Sequence, residues 1–312
     1  MTHQITSPDG TQISRFAFGC MQFGGTADTL ASQRMFEDCL AAGITHFDTA
    51  YAYTGGQSEE ILGKLIVPHR DRLVVATKVG YVGGASARNM RTQFDESRRR
   101  LDMDHVDILY LHRFDPETEL SETLECFAAL KSEGKISHVG LSNFAAWQVV
   151  KASFMAQSLD MTIDVLQPMY SLVKRQAEVE ILPMCSDLGI LPATYSPLGG
   201  GLLTGKYSSK QVDGRLATDE RYAARYGQEW MHDAASQLAE IAAELGTHPA
   251  TLAVAWAAQH DSAPSPILSA RNTDQLAPSL AALSLEMDRD LYNRLTELTP
   301  TPPPATDRLE EA

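Results

Sequence analysis

Phe18-Gly19-Cys20-Met21-Gln22-Phe23-Gly24-Gly25 follows the first apolar run of the chain, and its glycines decide between two architectures. A doubly wound dinucleotide-binding sheet places glycines as GxGxxG directly after its first strand, where they make the tight turn and admit the pyrophosphate. Here glycine stands at 19, 24 and 25, which breaks that spacing. The open sheet loses ground, and the other way of arranging repeated β-then-α units, a closed (β/α)8 TIM barrel, gains it.

The rest of the chain supplies the units. Outward from that turn, short β-branched or apolar runs alternate with longer amphipathic stretches, eight times between residues 14 and 283. The expected strands are Phe16–Met21, Thr45–Thr49, Leu73–Val79, Val106–His112, His138–Ser142, Val165–Met169, Leu191–Tyr195 and Pro266–Ser269. They are mostly uncharged, as strands covered on both faces should be. Helices are expected over 28–42, 57–67, 87–101, 121–133, 145–157, 177–188, 233–245 with 249–259, and 272–283. Gly43, Gly134, Gly189 and Gly246 stand just past amphipathic runs, as helix stops do. Ahead of the first strand, Gln4–Ile13 carries a Pro8-Asp9-Gly10 turn between two short extended pieces and predicts a β-hairpin. Met287–Leu298 predicts one more helix. The Pro-rich stretch Pro300–Pro304 lies in a flexible tail, 299–312, of what is expected to be one domain spanning 1–312. The irregular stretch Gly199–Trp230 falls between the seventh strand and its helix, on the face where barrel loops carry function.

Composition narrows the function. With 312 residues, 44% of them hydrophobic, the chain has ample material for a large core. A formal net charge of -14 repels nucleic acid and anionic membrane alike. The densest basic run, Arg98-Arg99-Arg100, ends a helix and is expected to face water. No apolar stretch approaches the ~20 residues of a membrane span. Met1-Thr2-His3-Gln4 lacks the basic-then-apolar order of a secretion signal, so a cytoplasmic location is expected. Cys20, Cys39, Cys126 and Cys185 are scattered, with neither CxxC spacing nor a nearby His; reduced thiols and no metal site follow.

If the strands end as expected, three ionisable groups gather at strand C-termini: Asp48 on the second, Lys78 on the third and His112 on the fourth, with Tyr53 shortly after Asp48. That is the functional rim of a barrel. Lys78 or His112 alone reads better as the place where a buried strand meets solvent, and Tyr53 alone reads equally well as an aromatic packing on Tyr51; together the four fit one chemistry.

At this point the chain resembles the aldo-keto reductase superfamily over nearly its whole length. The resemblance is carried by His46–Tyr53 with Ser58–Gly63, by Ala76-Thr77-Lys78 and Leu111-His112-Arg113, and by Gly140–Phe144. Tyr195-Ser196-Pro197-Leu198 with Gly205-Lys206, and Ala270–Leu276, complete it. The resemblance implies that Asp48, Tyr53, Lys78 and His112 form a catalytic tetrad, and that the N-terminal hairpin plugs the barrel. Reduction of a carbonyl by hydride leaves an alkoxide, which needs a proton donor within hydrogen-bond reach. A free tyrosine, pKa about 10, donates reluctantly. A neighbouring Lys78 is therefore expected to lower the Tyr53 pKa, with Asp48 holding Lys78 and His112 orienting the substrate oxygen.

The same resemblance implies a nicotinamide cofactor. Ser142, Asn143 and Gln167 would hold its carboxamide, Tyr195 would stack on the ring, and Gly19, Cys20, Met21 and Asp48 would adjoin it. Ser196, Leu198, Gly200 and Lys206 would follow the pyrophosphate. Ser269, Arg271, Gln275 and Ser279 would take the adenosine end, where Arg271 could pair with a 2′-phosphate; NADP(H) is favoured and NAD(H) stays open. Pro278 and Ser279 stand where relatives usually carry Glu and Asn. Two other functions remain open: a Schiff-base lyase or isomerase using Lys78, and a nucleotide-sensing regulatory protein. The expected partner is a small carbonyl or sugar substrate. Its specificity would come from the loops Tyr81–Ala87, Arg113–Glu119, Tyr170–Gln176 and Gly199–Trp230, where Arg113, Asp115 and Arg175 hint at a hydroxylated molecule.

Overall fold

The computed structural model describes residues 5–206, 219–308 and 310. The expectations about Met1–Gln4, about 207–218 within the irregular stretch, and about 309 and 311–312 of the tail lie outside the described residues.

Eight parallel strands close into a barrel in sequence order: β1 Ala17–Gly19, β2 His46–Asp48, β3 Val74–Val79, β4 Val106–Leu111, β5 Ile136–Ser142, β6 Val165–Gln167, β7 Leu191–Tyr195 and β8 Ser265–Leu268. Closure is set by β1, which pairs with β2 through Gly19 and Asp48 and with β8 through Ala17 and Ile267. Every residue of β3 and of β4 is buried, which explains runs free of the polar alternation seen in half-exposed strands.

Side chains alternate between two cores. Ala17, Val74, Ala76, Ile108, Tyr110, Val165, Ala193 and Ile267 fill the barrel. Ile5 joins them from the N-terminal hairpin, whose turn is closed by Ser7 N–H donating to Thr11 O at 2.9 Å. Phe18, Phe47, Val75, Leu109, Leu141 and Leu166 point outward and pack on the helices. These are α1 Thr29–Ala41, α2 Gln57–Ile66, α3 Ala87–Leu101, α4 Leu120–Ser132, α5 Ala146–Gln157, α6 Ile181–Leu188, α7 Glu220–Tyr226, α8 Glu229–Glu244, α9 Pro249–Gln259, α10 Thr273–Ala281 and α11 Arg289–Thr296. None of the described helices is long and apolar enough to cross a membrane.

Gly140 of β5 meets Tyr110 of β4 inside the barrel, where an added Cβ would fall 2.3 Å from the ring. Tyr110 is fully buried and has nowhere to retreat. Gly140→Ala is therefore expected to cost about 1–3 kcal/mol by overpacking, read as a lower midpoint in urea unfolding; an unshifted midpoint would show that the barrel interior yields.

Most expected elements agree with the structure to within a few residues at each end, and the departures have local causes. The helix expected over 177–188 is broken into a 3-10 turn, Gln176–Glu178, and α6. Pro183 lies in the first turn of α6, where its missing N–H costs nothing. The stretch from Gly199 is not simply irregular: Gly199–Thr204 is a 3-10 turn and α7 follows, its Asp219 cap accepting from Arg221 N–H. α8 begins at Glu229, ahead of the expected 233. The Pro300–Pro304 stretch contains no helix or strand.

Candidate functional site

The strand C-termini open into a cleft of about 1040 Å³, at the upper end of the ~300–1,000 Å³ usual for a small-molecule site. Three residues in or beside it hold left-handed backbone conformations that non-glycine residues avoid: Thr54 (φ 47), Asn143 (φ 58) and Ser196 (φ 61). Such strain collects where a site must be held in one shape.

At the floor, Lys78 is completely buried and all three of its ammonium protons have takers. It donates to Asp48 Oδ1, to the carbonyl of Thr49 at 2.8 Å and to Tyr53 Oη at 3.2 Å. Asp48 is 2% exposed, and its other oxygen accepts from Gln167 Nε2 at 2.9 Å. The His112 ring stands edge-on to Tyr53, 5.7 Å between centroids. The three residues named from strand ends and Tyr53 beyond them are thus brought together.

Their electrostatics differ from expectation in one respect. Lys78 was expected to lower the Tyr53 pKa; burial instead comes first and pushes the phenol above its ordinary value, with Lys78 only partly opposing it. Burial pulls the Lys78 ammonium down, but Asp48 and Tyr53 together outweigh it and leave Lys78 above an ordinary lysine. His112 is pulled down to about 3 by burial, then by Lys78 and Arg113, so its imidazole is neutral.

A buried polar framework holds this group from behind. Glu59 of α2 is wholly buried; it accepts from Thr77 Oγ1 at 2.6 Å and from Arg100 at 3.1 Å. Arg100 also donates to the Tyr51 carbonyl at 3.1 Å and lies 4.6 Å from the centre of its ring. The basic run therefore does not simply face water. Arg98 and Arg99 pair with Asp95 and Glu96 on the surface, whereas Arg100 turns inward and ties α3 to the loop that carries Tyr53. Only the packing of α3 against α2 could reveal this.

Of the residues expected to hold a cofactor, Gly19, Met21, Asp48, Ser142, Asn143, Gln167, Tyr195, Ser196, Leu198, Gly200, Lys206, Ser269, Arg271, Gln275 and Ser279 all line the cleft. Cys20 does not: its side chain is buried in the outer core, and its carbonyl accepts from Ser58 Oγ at 2.7 Å. Gly200 has φ 65, and a Cβ there would lie 2.7 Å from the Tyr222 ring, so the glycine turn keeps one wall of the cleft thin. Asn143 Nδ2 donates to the His112 carbonyl at 3.0 Å, and its Oδ1 accepts from Tyr195 at 2.7 Å, which links the two walls. Pro278 sits inside α10, where its ring removes the hydrogen bond to the Asp274 carbonyl, and Asp274 also lines the cleft.

The specificity hints fare less well. Arg113 lines the cleft, but Asp115 is spent on joining two loops, accepting from Ala85 N–H of the loop after β3 and from Thr118 of its own. Arg175 is buried against Glu178 and the Thr296 and Thr299 carbonyls. Tyr81, Arg221, Tyr222 and Arg225 line the cleft from two of the loops expected to set specificity, while Gln22 and His248 are lining residues that sequence reasoning did not single out. The i, i+4 repeat in Arg221-Tyr222-Ala223-Ala224-Arg225-Tyr226 was the legible signal of a helix that presents two arginines on one side.

A sequence model of the aldo/keto reductase family matches residues 15–300. The chain belongs to the aldo-keto reductase family. It is 31% identical to an uncharacterized oxidoreductase of Bacillus subtilis, the match covering 97% of both chains. It is 32% identical to a probable voltage-gated potassium channel subunit beta of Oryza sativa subsp. japonica, over 91% of this chain and 92% of that one. To aflatoxin B1 aldehyde reductase member 2 of Rattus norvegicus it is 34% identical, over 85% of this chain and 78% of that one. As an aldo-keto reductase it is a nicotinamide-dependent oxidoreductase of a family that acts on small carbonyl compounds. The cleft suits such a cofactor: amide and hydroxyl donors stand beside Tyr53, while Lys206, Arg271 and the start of α10 supply positive potential further along.

Proposed function

We propose that this aldo-keto reductase reduces small aldehydes, ketones or keto-sugars with NADPH, with Tyr53 as proton donor. The observation that carries this is the single buried ammonium of Lys78, bonded at once to Asp48, Thr49 and Tyr53 beneath an open cleft. A nicotinamide cofactor, when bound in the cleft, would supply the hydride. Tyr53 then gives its proton to the oxygen of the former carbonyl, and Lys78, held cationic by Asp48, stabilises the phenolate left behind. Neutral His112 has one N–H to offer the substrate oxygen, which fixes that oxygen near Tyr53. Ser142, Asn143 and Gln167 would hold the carboxamide, Tyr195 would cover the ring, and Arg271 would favour the 2′-phosphate. Asp274 at the same end would accept from a free ribose hydroxyl, so NADH is expected to serve less well rather than not at all.

The test is cofactor consumption with aldehydes, polyols and sugars in both nicotinamide forms. Turnover with NADPH ahead of NADH, a gap that Arg271→Gln narrows, is the expected result; equal use of both would remove the assignment of Arg271. Because His112 is neutral, kcat for reduction is expected to show no inflection between about pH 5 and 8. Reduction needs the protonated phenol, so activity is present below the raised Tyr53 pKa and lost as pH climbs through it. An inflection near pH 6.5 that vanishes in His112→Ala would contradict this.

Two other functions were weighed. A Schiff-base role for Lys78 is disfavoured, because an amine whose three protons are engaged and whose pKa is raised has no free lone pair. A nucleotide-sensing role draws support from similarity to a protein named as a channel subunit; fast multiple turnover would remove it.

A further inference from the structure

Cations collect at the mouth of the cleft in a chain whose composition runs the other way. Arg113 follows His112 directly, and its guanidinium lies 5.0 Å from the centre of the Tyr81 ring. Tyr81 in turn packs 4.9 Å from the His112 ring, so Arg113 is attached to the substrate side of the site. From α7 come Arg221 and Arg225, which also line the cleft. Arg225 is half-buried, 5.6 Å from the Tyr222 ring centre, and Arg221 is within electrostatic reach of Tyr81.

The carboxylates nearby are already committed. Asp48 is held by Lys78 and Gln167, and Asp274 lies at the opposite end with Arg271. Asp115 is bonded to Ala85 N–H and Thr118, and Asp219 is shared with Arg221 at 3.1 Å. Arg113 and Arg225 form no ion pair with any described carboxylate. Of the three side chains read from sequence as hints of a hydroxylated substrate, Arg113 alone reaches the cleft, and it is joined there by two further guanidiniums.

Arg113, exposed at the mouth, and half-buried Arg225 are each steadied on an aromatic face and ion-paired with no described carboxylate, which makes them forks for carboxylate or phosphate oxygens. We propose that the substrate carries an anionic oxygen group a few bonds from its carbonyl, bound by Arg113 and Arg225. This rests on the reductase function proposed above and names the substrate class of that site.

The experiment compares matched pairs with NADPH: 4-formylbenzoate against its methyl ester for a carboxylate, and glyceraldehyde 3-phosphate against glyceraldehyde for a phosphate. In the wild-type chain, kcat/KM for at least one anionic member is expected to exceed its neutral partner by tenfold or more, and the winning pair identifies the group. In Arg113→Gln/Arg225→Gln that ratio should fall to near one, through KM, and added salt should erode it in the wild type. Parity within both wild-type pairs overturns the inference while leaving the reductase function standing. So does a preference that survives in the double variant, or an NADPH Kd, from fluorescence titration, that rises in step with the substrate KM; the latter would make these arginines cofactor ligands. No turnover of any of the four carbonyls would instead sink the reductase function, and the inference with it.

Discussion

Tyr53→Phe is expected to lower kcat for carbonyl reduction by about 10²–10⁴-fold, the usual worth of a positioned proton donor. NADPH affinity should be retained. The substitution removes one oxygen and leaves a ring of the same shape, which still packs edge-on to His112 and within 4.8 Å of the Lys78 ammonium. The loop behind it is held by contacts that do not involve the hydroxyl: Thr54 Oγ1 donates to the Phe23 carbonyl at 2.8 Å, and Arg100 grips the Tyr51 carbonyl. What is lost is the proton for the developing alkoxide and the acceptor for the third proton of Lys78. A variant that turns over as fast as the parent would remove Tyr53 from the chemistry; one that loses NADPH affinity in proportion would make it a cofactor residue.

The second large effect is on stability. Lys78→Met should destabilise the fold by about 3–5 kcal/mol, because it strands the Asp48 carboxylate in the barrel with Gln167 as its remaining side-chain partner. The loss would be read from the midpoint of denaturant unfolding at constant slope. Adding Asp48→Asn should restore much of it, since the cost lies in an unpaired buried charge rather than in the missing pair. A double variant clearly more stable than Lys78→Met alone would fit that account; one no more stable than Lys78→Met would oppose it. Both forms should be impaired in turnover, as Tyr53 then lacks the cation that stabilises its phenolate.

The sequence by itself determined the features that repeat along the chain. Alternating apolar runs and amphipathic stretches are set by local periodicity, and eight of them without GxGxxG after the first already favour the closed barrel over the open sheet. Asp48, Lys78 and His112 were legible because each ends a strand run, and barrel geometry carries strand ends to one rim. The boundaries of α3, β7 and α9 were read to the residue, where Ser86, Gly189 and Pro249 give local punctuation.

Tertiary structure decided whatever depends on neighbours distant in sequence. Arg100 and Arg99 are adjacent and alike, yet one is spent on the surface and the other closes a network with Glu59 and Tyr51, because only one faces α2. Arg113, Asp115 and Arg175 looked equivalent as loop charges until packing sent one to the cleft, one to the junction of two loops and one beneath Trp256. Gln167, 119 residues from Asp48 along the chain, became its partner through the closing of the barrel. The rise in the Tyr53 pKa likewise comes from desolvation, and desolvation is the sum of everything packed around a group. Periodicity is a property of a segment and survives in one dimension; burial, charge pairing and the contents of a cleft are properties of the assembled molecule.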